Sequence, residues 1–207
     1  MEISASFLSI KDNLKDNIKK LVDTDIDYLH LDIMDGEFVP NKSWNIDEIK
    51  EIIDTRKPLD IHLMVEDVYE YIKQFRYLNP QYITFHVEVK HDIMELISYL
   101  TRLDIKVGLA IKPKTKVETL IPYLPFIDLV LIMSVKPGLG GQKFIDVTDK
   151  IDKLSKLKGS FKIAVDGGIN DETIKKIKNA DIAVVGSFIT NGDMKENVKK
   201  LKESLYG

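Results

Sequence analysis

The sequence predicts an α/β protein folded as a closed (β/α)8 barrel. Short runs rich in Ile, Val, Phe and Leu alternate with amphipathic, lysine-rich segments along the 207 residues. Eight such runs are present, which leaves roughly 26 residues per unit, enough for a short strand, a helix of about three turns and two loops. A doubly wound open sheet is a minor alternative, because Ser6-Phe7-Leu8-Ser9 lacks the glycine-rich turn common after the first strand of that fold.

The predicted strands follow one another without a linker. They are Ile3 to Phe7, Tyr28 to Met34, Leu59 to Met64, Tyr82 to His86, Lys106 to Ile111, Leu129 to Met133, Phe161 to Val165 and Ile182 to Val185. A segment with helical spacing follows each of the first four strands, the second half continues the same βα series, and a last helix is predicted from Asn191 to Tyr206. No low-complexity stretch interrupts the series, so we predict a single domain over residues 1–207.

Composition restricts the kinds of partner and chemistry. With 30 basic and 33 acidic residues, the net charge of -3 does not suggest binding to nucleic acid or to a membrane. The absence of cysteine excludes disulfides and thiol catalysis. No basic leader and no stretch of about 18 apolar residues is present. We therefore expect a cytoplasmic protein with a small-molecule partner.

The second and third predicted strands carry polar side chains on one face. Because side chains alternate along a strand, one face of the second strand holds His30, Asp32 and Met34, and one face of the third holds Asp60, His62 and Met64. Asp35-Gly36 is typical of the turn that ends a strand. These side chains are thus expected near the carboxyl-terminal strand ends, where α/β barrels keep their chemistry.

The seventh predicted strand is followed by Asp166, Gly167 and Gly168, a carboxylate with two glycines that allow the backbone to approach a ligand closely. In a barrel, strands two, three and seven end at one rim, so distant residues can meet there. His30, Asp32, His62 and Asp166 form a set of two nitrogens and two carboxylates. Such a set suits one divalent ion, namely zinc, Fe(II), manganese or cobalt.

Two further stretches are typical of phosphate sites: Lys136 to Gln142 after strand six, and Gly186-Ser187 after strand eight. Late-strand loops of barrels often present backbone N–H groups to an anion. Of the remaining histidines, His86 either lines the barrel mouth or is structural, and His91 is predicted at the surface.

Several motifs, in the same order along the chain, resemble those of the ribulose-phosphate 3-epimerase family. These are Ser6 to Ser9, His30 to Asn41, His62 to Val65, Ile83 to His86, Met133 to Val135, Pro137-Gly138, Gly140 to Gln142, Val165 to Ile169 and Val185 to Ser187. The resemblance spans nearly the whole chain. It implies a TIM barrel of the ribulose-phosphate-binding type.

The resemblance also implies roles. Asp32 and Asp166 exchange protons with carbon 3 and, with His30 and His62, bind the metal. The substrate, D-ribulose 5-phosphate or D-xylulose 5-phosphate, is held by residues of several loops: Ser6, His62, Gly138, Leu139, Gly140, Gly141, Asp166, Gly167, Gly168, Gly186 and Ser187. Met34, Met64 and Met133 either form an apolar wall around the intermediate or pack in the core. We also expect a homo-oligomer.

Several positions depart from the family pattern at the rim. Lys42 to Asn45 replace a usual Gly-Pro pair, Lys112 and Lys136 replace asparagines, Leu139 replaces a phenylalanine, and Phe188 to Thr190 differ from the usual ending. A hexulose phosphate such as D-allulose 6-phosphate is therefore an alternative substrate. Two other classes are open: a phosphate-binding barrel with lyase or decarboxylase chemistry, which typically uses a strand lysine, and a non-catalytic binding protein.

Overall fold

The computed structural model describes residues 1–157 and 159–205 and confirms a closed barrel of eight parallel strands. The strands are β1 (Glu2–Ser6), β2 (Tyr28–Met34), β3 (Leu59–Met64), β4 (Tyr82–His86), β5 (Lys106–Ile111), β6 (Leu129–Met133), β7 (Lys162–Asp166) and β8 (Ile182–Val185). They pair in sequence order, and β8 closes the barrel on β1. Both β1 and β7 are displaced from the predicted bounds, β1 toward the amino terminus and β7 toward the carboxyl terminus, so Asp166 is the last residue of β7.

The α-helices surround the barrel. They are α1 (Leu14–Val22), α2 (Ile46–Ile52), α3 (Val68–Phe75), α4 (Ile93–Arg102), α5 (Thr148–Lys156), α6 (Ser187–Thr190) and α7 (Met194–Ser204). Asp67, Asp92 and Asp193 begin α3, α4 and α7 by accepting a hydrogen bond from the backbone N–H three residues later. The last helix begins later than predicted, and Tyr206 lies outside the described residues. None of the described helices is long and apolar enough to cross a bilayer.

Two units of the series lack an α-helix, contrary to a strict βα alternation. After β5 the chain forms 3-10 helices at Val117–Leu120 and Leu124–Phe126, and after β7 a single 3-10 helix at Thr173–Ile177. Pro113, Pro122 and Pro125 interrupt the first segment, because proline cannot donate a helical hydrogen bond. The segment after β7 is short, and its first residues form the glycine turn that follows Asp166.

Three aspartates close the amino-terminal end of the barrel. The carboxylates of Asp27, Asp128 and Asp181 each accept a 2.8 Å hydrogen bond from a strand N–H, namely those of Ile3, Val107 and Ile163. These bonds satisfy backbone donors at strand starts that would otherwise lack a partner. This end of the barrel is thus held by structural contacts, which leaves the opposite end for chemistry.

The alternation of side chains along the strands divides the core into layers. In β2, Leu29, Leu31 and Ile33 pack outward in the cluster between the barrel and its helices. Tyr28 lies in a second cluster inside the barrel, and Met34 in a third cluster with Val39 and Met64 at the mouth. His30 and Asp32, the two polar residues of this interior face of β2, therefore lie between Tyr28 and Met34.

Candidate active site

The four predicted metal ligands meet inside the mouth of the barrel. One ligand atom from each of His30, Asp32, His62 and Asp166 lies within 4.8 Å of the other three. Asp32 is the direct register partner of His62 on β3, and Asp166 reaches the same point from β7. Both histidines are buried, at 1% and 0% exposure. The alternation of side chains along the strands and the closure of the barrel together bring these four side chains to one point.

His30 is held by a carboxylate that the sequence placed on the same face but assigned no role. Its Nδ1 lies 2.8 Å from Asp60 Oδ2, and the Ser4 hydroxyl donates to the same oxygen at 2.7 Å. Its Nε2 points to Asp32 Oδ1 at 3.3 Å. A carboxylate on the far nitrogen of a metal-binding histidine fixes the ring and its tautomer. The near nitrogen, Nε2, is thereby directed to the centre.

His62 turns its Nδ1, rather than its Nε2, toward the centre. Its Nδ1 lies 3.2 Å from Asp32 Oδ1 and 3.8 Å from Asp166 Oδ2. Its Nε2 lies 2.9 Å from Nε2 of His86, whose Nδ1 lies 3.0 Å from Glu88 Oε2. His86 therefore contacts the site directly, whereas Glu88 had no sequence signal that distinguished it from a surface glutamate.

Asp32 and Asp166 have different surroundings, although both face the same space. Asp32 accepts a 2.8 Å hydrogen bond from the Ser6 hydroxyl and lies beside both histidines. Burial opposes its charge, but the charge and hydrogen bond of His30 hold the pKa of Asp32 well below its usual range. No hydrogen bond reaches the carboxylate of Asp166 within the described part of the chain, and its side chain is 16% exposed.

The pKa of Asp166 moves in the other direction. Burial raises the pKa of Asp166 to about 6, and the neighbouring Asp32 carboxylate acts in the same sense. Two carboxyl groups whose pKa values are driven apart are suited to act as base and acid. Burial opposes a charge on His30, yet Asp60 and Asp32 raise the pKa of His30 well above its ordinary value.

The donor set fits a divalent metal ion. It offers two imidazole nitrogens and two carboxylates, the combination that suits zinc and related first-row ions. Each histidine has its other nitrogen tied to a partner, as is usual for metal-binding histidines. The group could therefore hold a divalent ion.

A cavity of about 630 Å³ opens above these carboxylates. Of the predicted site residues, it is lined by Ser6, Asp32, Met64, Met133, Gly138, Leu139, Gly140, Gly141, Asp166, Gly167, Gly168, Gly186 and Ser187. His30, His62 and Met34 are buried and are not among the lining residues, and Met34 packs with Met64 and Val39. The volume is in the range of small-molecule sites.

Gly138 and Gly168 are required where neighbouring loops approach each other closely. Gly168 has φ +64°, and a Cβ there would lie 2.5 Å from the backbone nitrogen of Phe144. Gly138 has φ +100° and packs on Val39, and its carbonyl oxygen accepts a 2.8 Å hydrogen bond from the Asn41 side chain. The loops after β2, β6 and β7 thus form one wall.

Polar residues with no sequence signal also line this cavity, among them Thr173, Lys176 and Asn197. They lie on amphipathic segments, and only the three-dimensional arrangement brings them to the cavity. Lys136, a departure from the family pattern, lines the cavity as well.

Other departures from the family pattern have structural explanations. Lys112 places its Nζ 4.0 Å from the centre of the Phe38 ring. Lys42 forms an isolated antiparallel β-bridge with Asp35 through the backbone. The rings of Trp44 and Phe7 pack with 5.1 Å between their centres. His91 is partly exposed, at 30% of its side chain. None of these residues lines the cavity.

Comparisons with known proteins give a consistent result. A family model described as the ribulose-phosphate 3 epimerase family matches residues 2–190. A relative from Methanocaldococcus jannaschii named ribulose-phosphate 3-epimerase is 38% identical, over 99% of this chain and 91% of that protein. One from Oryza sativa subsp. japonica, named as the cytoplasmic isoform, is 35% identical, over 94% and 90%. The structure of 3-hexulose-6-phosphate synthase from Salmonella typhimurium aligns with a TM-score of 0.70 over 100% of this chain and 99% of that chain, and at 20% identity it shows a shared fold alone.

Proposed function

Because the chain is an isomerase of the ribulose-phosphate 3-epimerase family, we propose that it interconverts D-ribulose 5-phosphate and D-xylulose 5-phosphate by proton transfer at carbon 3. The observation that carries this proposal is the pair Asp32 and Asp166. They face one cavity from β2 and β7, and their pKa values are shifted in opposite directions.

Inversion of a carbon beside a ketone needs two proton carriers, one on each face. Asp32, which accepts a hydrogen bond from Ser6 and whose pKa is held low beside His30, removes the proton from one face. Asp166, whose pKa in the metal-free site is raised by burial to about 6, returns a proton to the other face. In the reverse direction the two residues exchange roles.

We propose that Nε2 of His30, Nδ1 of His62 and one oxygen each of Asp32 and Asp166 bind one divalent ion. Such an ion supplies a Lewis acid that polarises the ketone and lowers the cost of removing the neighbouring proton. Its binding requires His30 to lose a proton, since only an unprotonated nitrogen can be a ligand. The ring then remains fixed by Asp60.

We place the phosphate at the opposite side of the cavity, among Gly167, Gly168, Gly186 and Ser187. Gly186 immediately precedes the short helix α6, Ser187 is its first residue, and both line the cavity. The nearby cation of Lys176 lines the same cavity and favours a dianionic group there. Ser6 and Leu139, with the glycines from Gly138 to Gly141, complete the substrate contacts, and Met64 and Met133 form the apolar wall.

The alternative lyase or decarboxylase chemistry is disfavoured by the position of the strand lysines. Within the described residues, Lys106 and Lys162 are the lysines that the strands carry, and each is the first residue of its strand. They therefore stand at the amino-terminal end of the barrel, and Lys162 pairs with Glu2 there at 2.5 Å. Neither can reach the cavity.

The test is turnover by the metal-loaded protein. We expect conversion of ribulose 5-phosphate to its epimer and incorporation of deuterium at carbon 3 in heavy water, with both lost in Asp166→Asn. If the protein neither converts nor exchanges either ribulose 5-phosphate or allulose 6-phosphate, the epimerase proposal is wrong. If only allulose 6-phosphate reacts, the hexulose alternative replaces the pentulose.

We further propose that residues 1–207 act as one domain in the cytoplasm. Support comes from the family match over residues 2–190 and from the cytoplasmic isoform among the relatives. The homo-oligomer stays a prediction, which analytical ultracentrifugation tests.

A further inference from the structure

We propose that Glu88, acting through His86, is a positioning residue that fixes the tautomer of His62 and so presents Nδ1 of His62 to the metal centre. This inference rests on the proposed metal centre. The three side chains form one line of hydrogen bonds, with 2.9 Å between His62 and His86 and 3.0 Å between His86 and Glu88.

The positions of the protons follow from what each group can donate. A carboxylate only accepts, so Nδ1 of His86 carries the hydrogen that Glu88 receives. A neutral imidazole has one N–H, which leaves Nε2 of His86 as an acceptor. At 2.9 Å, the facing Nε2 of His62 must then be the donor. When His62 holds a single proton, its Nδ1 is therefore the free nitrogen.

That free nitrogen points to where an ion is proposed to bind. Nδ1 of His62 lies 3.2 Å from Asp32 Oδ1, so a lone pair and a carboxylate oxygen face each other. Two acceptors at this distance need a cation between them or a proton on one of them. His30 presents Nε2 to the same carboxylate oxygen, because its Nδ1 is held by Asp60. The two rings thus use different nitrogens for the same purpose.

Glu88 is itself held firmly, which a positioning residue requires. Its second oxygen accepts a 2.8 Å hydrogen bond from the backbone N–H of Lys112 and another from the Thr115 hydroxyl. The Nζ of Lys150 on α5 donates to the carbonyl oxygens of Lys112 and Thr115, at 3.1 Å and 2.6 Å. Because the contact to Lys112 uses its backbone, the lysine found there in place of asparagine leaves it intact.

His86, the middle member of this line of hydrogen bonds, is shielded from water, whereas the Glu88 side chain is 20% exposed. His86 is 0% exposed, and the Phe38 ring lies 5.0 Å from its ring. Lys112 places its Nζ over the Phe38 ring, at 4.0 Å. Within the described residues, the hydrogen-bond partners of the His86 ring are His62 and Glu88. The tautomer of His62 therefore depends on Glu88.

The variant Glu88→Gln tests the inference directly. The Gln amide can donate to Nδ1 of His86, which would reverse every hydrogen bond in the line and move the proton of His62 to Nδ1. Long-range ¹H–¹⁵N NMR on the metal-free protein at pH 8 reads the tautomers, and the chain has only four histidines. We expect the Nε2–H tautomer for His62 in the parent protein and its loss in Glu88→Gln.

Metal affinity gives the second readout. Competition with a chromophoric chelator for Zn²⁺ is expected to show a Kd that is about 10- to 100-fold weaker in Glu88→Gln. Excess Zn²⁺ should restore much of the activity, because the reacting groups are unchanged. The matched control is Glu66→Gln, a partly buried glutamate whose carboxylate pairs with Lys90. It should leave the tautomer and the Kd unchanged.

The outcomes separate this inference from the proposed function. An Nδ1–H tautomer of His62 in the parent protein, or an unchanged tautomer and Kd in Glu88→Gln, overturns the inference. If the parent protein binds no Zn²⁺, the proposed metal centre fails, while the tautomer still decides the role of Glu88. Should Glu88→Gln not fold, Thr115→Val removes one donor to Glu88 and is expected to weaken the Kd by a few fold, and an unchanged Kd there contradicts the inference.

Discussion

Replacing Asp166 by asparagine should stabilise the metal-free protein while it abolishes turnover. Burial and the Asp32 charge raise the pKa of Asp166 from 3.8 to about 6, so the folded protein holds this proton more tightly than the unfolded chain. The ionised carboxylate therefore costs stability above pH 6, and the cost disappears as the pH falls toward 4. A shift of about two pKa units corresponds to about 3 kcal/mol at pH 8.

The expected gain for Asp166→Asn is therefore about 3 kcal/mol in the free energy of unfolding at pH 8 and about half of that at pH 5. For a chain of this size it corresponds to a rise of roughly 6–12 °C in Tm. Urea unfolding of chelator-treated protein at the two pH values measures it. In the metal-loaded enzyme, kcat should fall about 10²- to 10⁴-fold, the usual contribution of a proton carrier.

Asp32→Asn is the matched control, because the pKa of Asp32 is shifted in the opposite direction and the change in stability should have the opposite sign. Burial opposes the charge of Asp32, but His30 depresses its pKa, so the charge stabilises the folded state at neutral pH and that contribution is lost in acid. This variant should be less stable than the parent protein at pH 8. If Asp166→Asn is no more stable at pH 8, or gains equally at both pH values, the electrostatic account of the site is refuted.

Four further predictions concern the surroundings of the site. Asp60→Asn should weaken the Kd for Zn²⁺ about 10- to 100-fold by chelator competition, since it removes the carboxylate on His30, whereas Asp27→Asn, at the other end of the barrel, should not. Zn²⁺ added to metal-free protein at pH 7 should release about one proton per ion, measured with a pH indicator. The pKa of His30 is raised, so its ring is protonated at this pH and must lose a proton to bind the ion. No release of protons would contradict the raised pKa. Gly168→Ala should lower the free energy of unfolding in urea by about 1–3 kcal/mol, because φ is +64° and the added Cβ would lie 2.5 Å from the backbone of Phe144. An unchanged midpoint would show that the two loops can move apart at no cost. Lys176→Gln should raise KM for the phosphorylated substrate about 3- to 10-fold at low salt, while Lys175→Gln, an exposed neighbour outside the cavity, should leave KM unchanged.

The barrel and its four central residues could be predicted because they depend on simple periodicities. Alternation along β2 and β3 placed His30, Asp32 and His62 on interior faces, and parallel pairing made Asp32 the neighbour of His62. The position of Asp166 required only that strand seven end at the same rim.

The supporting residues could not be predicted from the same periodicities. The period showed which face Asp60 occupies, but its contact with His30 depends on the stagger between strands. Glu88 lies beyond the end of β4, where no period applies, and Lys176 lies on a short 3-10 helix that was predicted only as part of the βα series. In each case a hydrogen bond or a loop path between distant segments decides the contact.

The closure of the barrel between β1 and β8 has a consequence for how the protein is made. Asp166 leaves the ribosome well over a hundred residues after Asp32, a delay on the order of ten seconds at typical rates of synthesis. Until β7 and β8 have emerged, the growing chain has three of the four side chains that could hold a metal ion and an unpaired strand at each edge of its sheet. Strand β7 completes this set of side chains and β8 then closes the sheet, so we expect a chain that ends before β7 to lack one proposed ligand and to be exposed to aggregation.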